Sequence, residues 1–218
     1  MSGAEHPLHR ILVEAAAGRP PAPDGSITVV PPLDGPVDAV CSFPAHNVLA
    51  IDLPREELLA QLDASDLGAP MNAAFLAWVA GRLSTVPGVV DMVMVAPPQP
   101  TVEPAALTER TDLSAHPRVQ RASRYRTGLR VFSDPTGSGV LTVGRGLAGR
   151  WEMAYEVDPS ARGRGLGRSL AAAAPSLVPG GEPLFAQASP GNASSVRSLL
   201  AAAYRPIGGE CLFERKRD

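Results

Sequence analysis

The stretch most able to do chemistry is Val157-Asp-Pro-Ser-Ala-Arg162-Gly163-Arg164-Gly165-Leu166-Gly167-Arg168-Ser-Leu170. In it a β-rich run passes through a basic glycine turn into an amphipathic helix. Glycines let backbone approach a ligand closely, the N–H groups of a helix's first turn lack partners within the helix, and the helix dipole favours negative charge there. Arg162, Arg164 and Arg168 reinforce that sign, so the pattern is that of a polyphosphate cradle. Two other phosphate motifs are out of register. A dinucleotide fingerprint opened at Gly163 needs a glycine at position 168, where Arg168 stands. A P-loop closes on Gly-Lys-Ser/Thr, and the one lysine of the chain is Lys216.

Arg162, Gly165 and Gly167 meet in register the Gln/Arg-x-x-Gly-x-Gly/Ala signature of the GNAT superfamily of acyl-CoA-dependent N-acetyltransferases, which residues 118–218 resemble. Downstream, Asn192-Ala-Ser-Ser-Val-Arg-Ser-Leu-Leu-Ala-Ala-Ala203-Tyr204 is similar to the family's second block, an Asn-opened helix ending in Gly-Phe, here replaced by Ala203-Tyr204. The resemblance implies an α/β fold with a mixed, mostly antiparallel central sheet flanked by helices, preceded here by an N-terminal α/β extension. It also implies acetyl-CoA as co-substrate and no metal. The pyrophosphate would lie on the backbone amides of Gly163, Arg164, Gly165, Leu166, Gly167 and Arg168 behind Arg162. The pantetheine arm would follow the strand edge at Glu156 and Val157, and Asn192 would touch the arm.

By the same resemblance, a neutral amine attacks the thioester directly, so a general base must take the ammonium proton. Glu152 and Glu156, four apart on the strand before the cradle, share one of its faces. Glu152 is preferred because the family's bases often lie about ten residues before the motif. His46 and His116 stand without a partner pattern and are expected to be structural, and His6 and His9 fall in the N-terminal lead-in. Seven residues after Asn192, where many relatives carry a tyrosine acid, this chain has Leu199, and Tyr204 is expected to be packed. The alternative is a non-catalytic acyl-CoA-binding or sensor domain.

These motifs sit in a chain of 218 residues with 44% hydrophobic and 19% charged residues and net charge −2, values that exclude global disorder and a generally basic nucleic-acid coat. Residues 1–115 hold 5 Arg against 14 Asp plus Glu, a net of −9, and residues 116–218 hold 15 Arg plus Lys against 8, a net of +7. The basic part suits a polyanion such as CoA, and the acidic part weakly suggests a cationic acceptor. Cys41 and Cys211 give neither a disulfide framework nor metal-ligand spacing, and no segment nears the length of a membrane span. A cytoplasmic enzyme is expected, acting on a small-molecule amine or a protein N-terminus without nucleic acid or membrane, and a homodimer is left open.

Three parts are expected along the chain: a Pro/Gly-rich lead-in over 1–36, holding 7 of the 23 prolines, an N-terminal α/β part over 37–115, and an acetyl-CoA-binding core over 116–218, divided near His116-Pro117. The pattern predicts strands at 27–30, 38–43, 48–53, 88–95, 139–143, 151–157, 184–188 and 207–213. Helices are expected after Pro54, over 71–83 with Trp78 in the core, around 105–110, over 165–174 up to Pro175, and after Asn192 with Val196, Leu199, Leu200 and Ala203 on one face. Residues 119–132 read as a half-exposed strand or hairpin with Arg118, Arg124, Arg126 and Arg130 on one parity.

Overall fold

The structure is a computed structural model and describes residues 5–97 and 106–215. The chain divides into two compact units, Met1–Met92 with Ile207–Asp218, and Val93–Pro206. The division after Met92 lies ahead of the boundary expected near His116. Among the described residues, no helix is long and apolar enough to cross a membrane.

The first unit contains α1 (Pro7–Ala16), β1 (Ile27–Val30), β2 (Val37–Phe43), β3 (His46–Ala50), α2 (Arg55–Ala60) and α3 (Ala73–Arg82). Its strands lie in the order β1-β3-β2-β10, with β10 spanning Arg205–Glu214. β1 pairs parallel to β3, and β2 pairs antiparallel to β3 and to β10. One sheet face presents Val40, Leu49, Ile51, Cys211 and Phe213 to Leu58 of α2 and to Phe75, Leu76, Val79 and Ala80 of α3. Trp78 is half-buried at the rim of that core, stacked on Phe75 with centroids 5.9 Å apart. The lead-in contains a helix that proline content concealed. His6 caps α1 by accepting the Leu8 N–H at 3.1 Å, Pro7 occupies the first turn where no N–H is needed, and Leu8, Leu12 and Ala15 are buried.

The second unit orders β4 (Asp91–Val95), β9 (Leu184–Ala188), β8 (Trp151–Val157), β7 (Gly139–Arg145), β6 (Thr127–Ser133) and β5 (Thr108–Glu109) across its sheet. β5 through β8 pair antiparallel and β8 pairs parallel to β9. The mixed, mostly antiparallel α/β architecture is therefore the expected one. The helix expected around 105–110 is absent: Thr108–Glu109 forms β5, and Ala105 lies outside the described residues.

The expected strand over 119–132 is also corrected. Residues Pro117–Tyr125 form α4, capped by His116, which accepts the Arg118 N–H at 3.1 Å. Val119 and Ala122, three apart, are its buried positions, and Val119 packs on Val131 and Val140 of the sheet. The chain leaves the helix at Arg126 and enters β6 through an irregular register between Thr127 and Arg130, where Gly128 takes φ +58°.

On the opposite sheet face lies α5 (Leu166–Ala173), so close that a Cβ on Gly139 would come within 2.8 Å of Leu170. Pro175 ends α5 and leaves the Ala171 carbonyl without its usual i+4 donor. The Tyr204 hydroxyl donates to that carbonyl at 3.1 Å. In α6 (Ala193–Ala201) Leu199 is buried, but Leu200 is 48% exposed and Ala203 turns out at φ +62°. Ala202 is the next buried position, three residues on from Leu199.

Candidate functional site

The cradle forms where β8 runs out of its parallel neighbour. β8 pairs with β7 along its whole length, whereas its ladder with β9 consists of Trp151↔Leu184, Glu152↔Phe185 and Met153↔Ala186. The Asp158 N–H bonds the Ser138 carbonyl toward β7 at 2.8 Å. Strand alternation then turns the peptide groups of Tyr155 and Val157 toward the β9 side, past the last ladder pair. Arg162 donates its Nε to the Val157 carbonyl at 3.0 Å and so braces the strand end. The edge groups offered to a ligand arm thus belong to Tyr155 and Val157, a shift of one residue from the expected Glu156 and Val157, because Glu156 turns its peptide toward β7.

A 3-10 turn over Pro159–Ala161 leads into Gly163 at φ +74° and Gly165 at φ +87°. Both are left-handed conformations that L side chains resist. A Cβ at either glycine would meet nothing within 4 Å, so the turn presents open backbone. Gly165 caps α5 without a side chain, and the first closed helical bond is Ser169 N–H to the Gly165 carbonyl at 3.0 Å. The N–H groups of Leu166, Gly167 and Arg168 consequently lie ahead of the helical ladder, beside the exposed side chains of Arg162, Arg164 and Arg168. Gly167 has a different reason for lacking a Cβ, which would stand 3.1 Å from the Tyr155 ring and 3.4 Å from the Ser198 hydroxyl of α6.

Asn192, expected to touch a CoA arm, accepts the Ser195 N–H at 3.2 Å through its side-chain oxygen and caps α6. Tyr204 is buried as expected, and burial followed by the neighbouring Tyr155 raises its hydroxyl pKa.

Glu152 and Glu156 share the face of β8 that α4 covers, but their environments differ. Glu152 is buried. It accepts Arg126 Nε at 3.0 Å, Arg150 Nε at 2.9 Å and the Leu147 N–H at 3.1 Å. Burial alone raises a carboxyl pKa, yet the charges of Arg150 and Arg126, with the bonds from Arg126 and Leu147, outweigh it and hold Glu152 at about 2. Arg126 also approaches the Thr142 hydroxyl and the Met153 carbonyl, both at 3.4 Å. A carboxylate clamped between two guanidiniums and held in its charged form accepts a proton poorly, which tells against the base role expected of Glu152. Glu156 is half-exposed and pairs with Arg118 Nε at 3.3 Å.

The clamp of Arg126 and Arg150 is not legible in the sequence, where Arg118, Arg124 and Arg126 fall on one strand parity although the first two belong to α4. The alternation of Arg150 with Glu152 was its one local signal. The histidines are structural as expected: His116 is a helix cap, and His46 bonds the Thr28 hydroxyl at 2.9 Å and the Ser26 hydroxyl and Asp24 carboxylate at 3.1 Å.

No protein-family model and no curated protein matches this sequence. Among solved structures the chain is similar to an acetyltransferase from the GNAT family of Colwellia psychrerythraea, at 13% identity and TM-score 0.43, covering 66% of this chain and 63% of that one. It is similar to a putative GNAT acetyltransferase of Novosphingobium aromaticivorans at 15% identity and TM-score 0.45, covering 60% and 66%. A GCN5-related N-acetyltransferase from Kribbella flavida shares 18% identity at TM-score 0.41, covering 65% and 64%. In each case the chain spans less than two thirds of the matched protein's length.

Proposed function

We propose that the second unit binds acetyl-CoA and transfers its acetyl group to a primary amine. The observation that carries this reading is the juxtaposition of the glycine-opened start of α5 with the edge of β8 beyond Met153. Three N–H groups and three exposed arginines suit a pyrophosphate, and the turned-out peptides of Tyr155 and Val157 suit an amide-bearing arm. The open space at Gly163 and Gly165 fits the same ligand, since bound phosphate needs access to backbone.

Acetyl-CoA would supply the activated acyl group. Glu156 takes the proton of the incoming ammonium ion, leaving a neutral amine to attack the thioester carbon. The N–C bond forms as the C–S bond breaks, and the second proton shed by the nitrogen passes through water to the departing thiolate, since Leu199 offers none. A thiol of pKa about 8.5 is a tolerable leaving group. No acyl-enzyme is needed, and Cys41 and Cys211 are both buried.

Acetyl-CoA at millimolar concentration should raise the melting temperature, with NAD and ATP doing much less. Acetyl-CoA plus a panel of amines should release free thiol. Unchanged melting in protein free of co-purified CoA defeats the reading. The occupied state of both carboxylates favours a second reading, an acyl-CoA-binding module without turnover, and ligand-induced stabilisation with no thiol release on any amine would select it.

A further inference from the structure

The side of β8 that carries Glu152 and Glu156 lies under α4, a helix with Arg118, Arg121 and Arg124 and no acidic residue. Arg126 follows directly and is spent on Glu152. Arg118, in the first turn, reaches the sheet and pairs with Glu156, and the two side chains remain 32% and 40% exposed. Arg121 is exposed one turn further on. An amine approaching Glu156 therefore meets a positively charged helix before it meets a carboxylate. A polycation is repelled there, whereas an amine carrying an anionic group is attracted and oriented.

We propose that the acceptor is an amine bearing a carboxylate, of the α-amino acid class, and that Arg118 binds that carboxylate. The proposal rests on the transferase reading above and reverses the weak expectation of a cationic acceptor, which followed from charge counts over 115 residues. The acceptor carboxylate takes the place of Glu156 on Arg118, since a planar guanidinium accepts either partner. The exchange frees Glu156 beside the acceptor's ammonium group, whose proton passes to the Glu156 carboxylate. The amine nitrogen then bonds to the acyl carbon as sulfur departs, and its second proton passes through water to the thiolate. Arg118 thus couples acceptor binding to release of the base.

The test uses the full chain with acetyl-CoA and a panel of α-amino acids paired with their α-amides, followed by thiol release. The amino acids should exceed their amides by about tenfold or more in kcat/KM, the scale of one charge-assisted contact. Arg118→Gln should bring that ratio toward one, mainly through KM, and Arg118→Lys should keep part of it. A second measurement needs no turnover: N-acetyl amino acids should raise the melting temperature more than their amides, and Arg118→Gln should remove the difference. Ratios near one in both measurements, or preference for the amides, overturn the proposal while acetyl-CoA stabilisation leaves the transferase reading standing. Failure of acetyl-CoA to bind, alongside Arg118-dependent selection of N-acetyl amino acids, would instead defeat the transferase reading and keep the anion site.

Discussion

The Arg126 guanidinium meets the Glu152 carboxylate at 3.0 Å, with both side chains under a tenth exposed. This pair joins the end of α4 to the start of β8. Gly146 makes room for it, because a Cβ there would collide with the Glu152 carboxylate. Glu152 is held in place by this pair and by Arg150 as an internal anion of the fold.

Glu152 sets an acid limit on stability. Its folded pKa, about 2, lies below the ordinary 4.5, so its contribution is fully present above about 4.5 and is lost as pH falls through 2. That shift corresponds to about 3 kcal/mol. Glu152→Gln should lower stability at neutral pH by about 3 kcal/mol or more and flatten the loss between pH 4.5 and 2, measured by urea unfolding at several pH values. Equal acid slopes in the two proteins would show that the clamp does not govern acid unfolding.

Glu156→Gln should behave differently, because its half-exposed pair contributes little to stability. Turnover should fall by about a hundredfold, the scale of lost general-base help, with the acetyl-CoA thermal shift retained. Unchanged turnover would remove Glu156 from the mechanism.

Gly165 and Gly167 should respond to alanine for separate reasons. Gly165→Ala strains a φ of +87° and should cost about 1 kcal/mol. Gly167→Ala presses on the Tyr155 ring at 3.1 Å and should cost about 1 kcal/mol or more, with part of the loss recovered in a Tyr155→Leu background. A double-mutant cycle checks this, and additive losses would show that the ring is not what excludes a Cβ.

Tyr204→Phe removes the donor that replaces the missing N–H of Pro175 at the Ala171 carbonyl. Unfolding free energy should fall by about 1 to 2 kcal/mol, while thiol release stays within about threefold because no acid role is lost. A hundredfold loss of turnover in folded, CoA-binding protein would give Tyr204 a catalytic role.

Neither thiol should react with iodoacetamide in native protein. Burial pushes Cys211 up to about 11, with Asp91 and Glu210 adding to the rise, so little thiolate exists at neutral pH. Cys41 is also buried. Rapid alkylation before unfolding would contradict this.

Local chemistry settled the elements whose cause lies within a few residues. Alternation and β-rich composition placed β1, β8 and β9, and the glycine–arginine turn announced the start of α5, because a left-handed glycine and a first-turn amide act over a single turn of chain. His-Pro caps opened α1 and α4 just as locally, but proline content and an accidental arginine parity masked them. What the tertiary structure decided was the state of the carboxylates. Glu152 and Glu156 share a strand face by simple alternation, yet Arg126 lies 26 residues from the first and Arg118 38 residues from the second. Only the packing of α4 on the sheet brings those charges together. Burial and opposite charge act through space, so which glutamate is locked and which can exchange its partner is set by the fold and not by spacing along the chain.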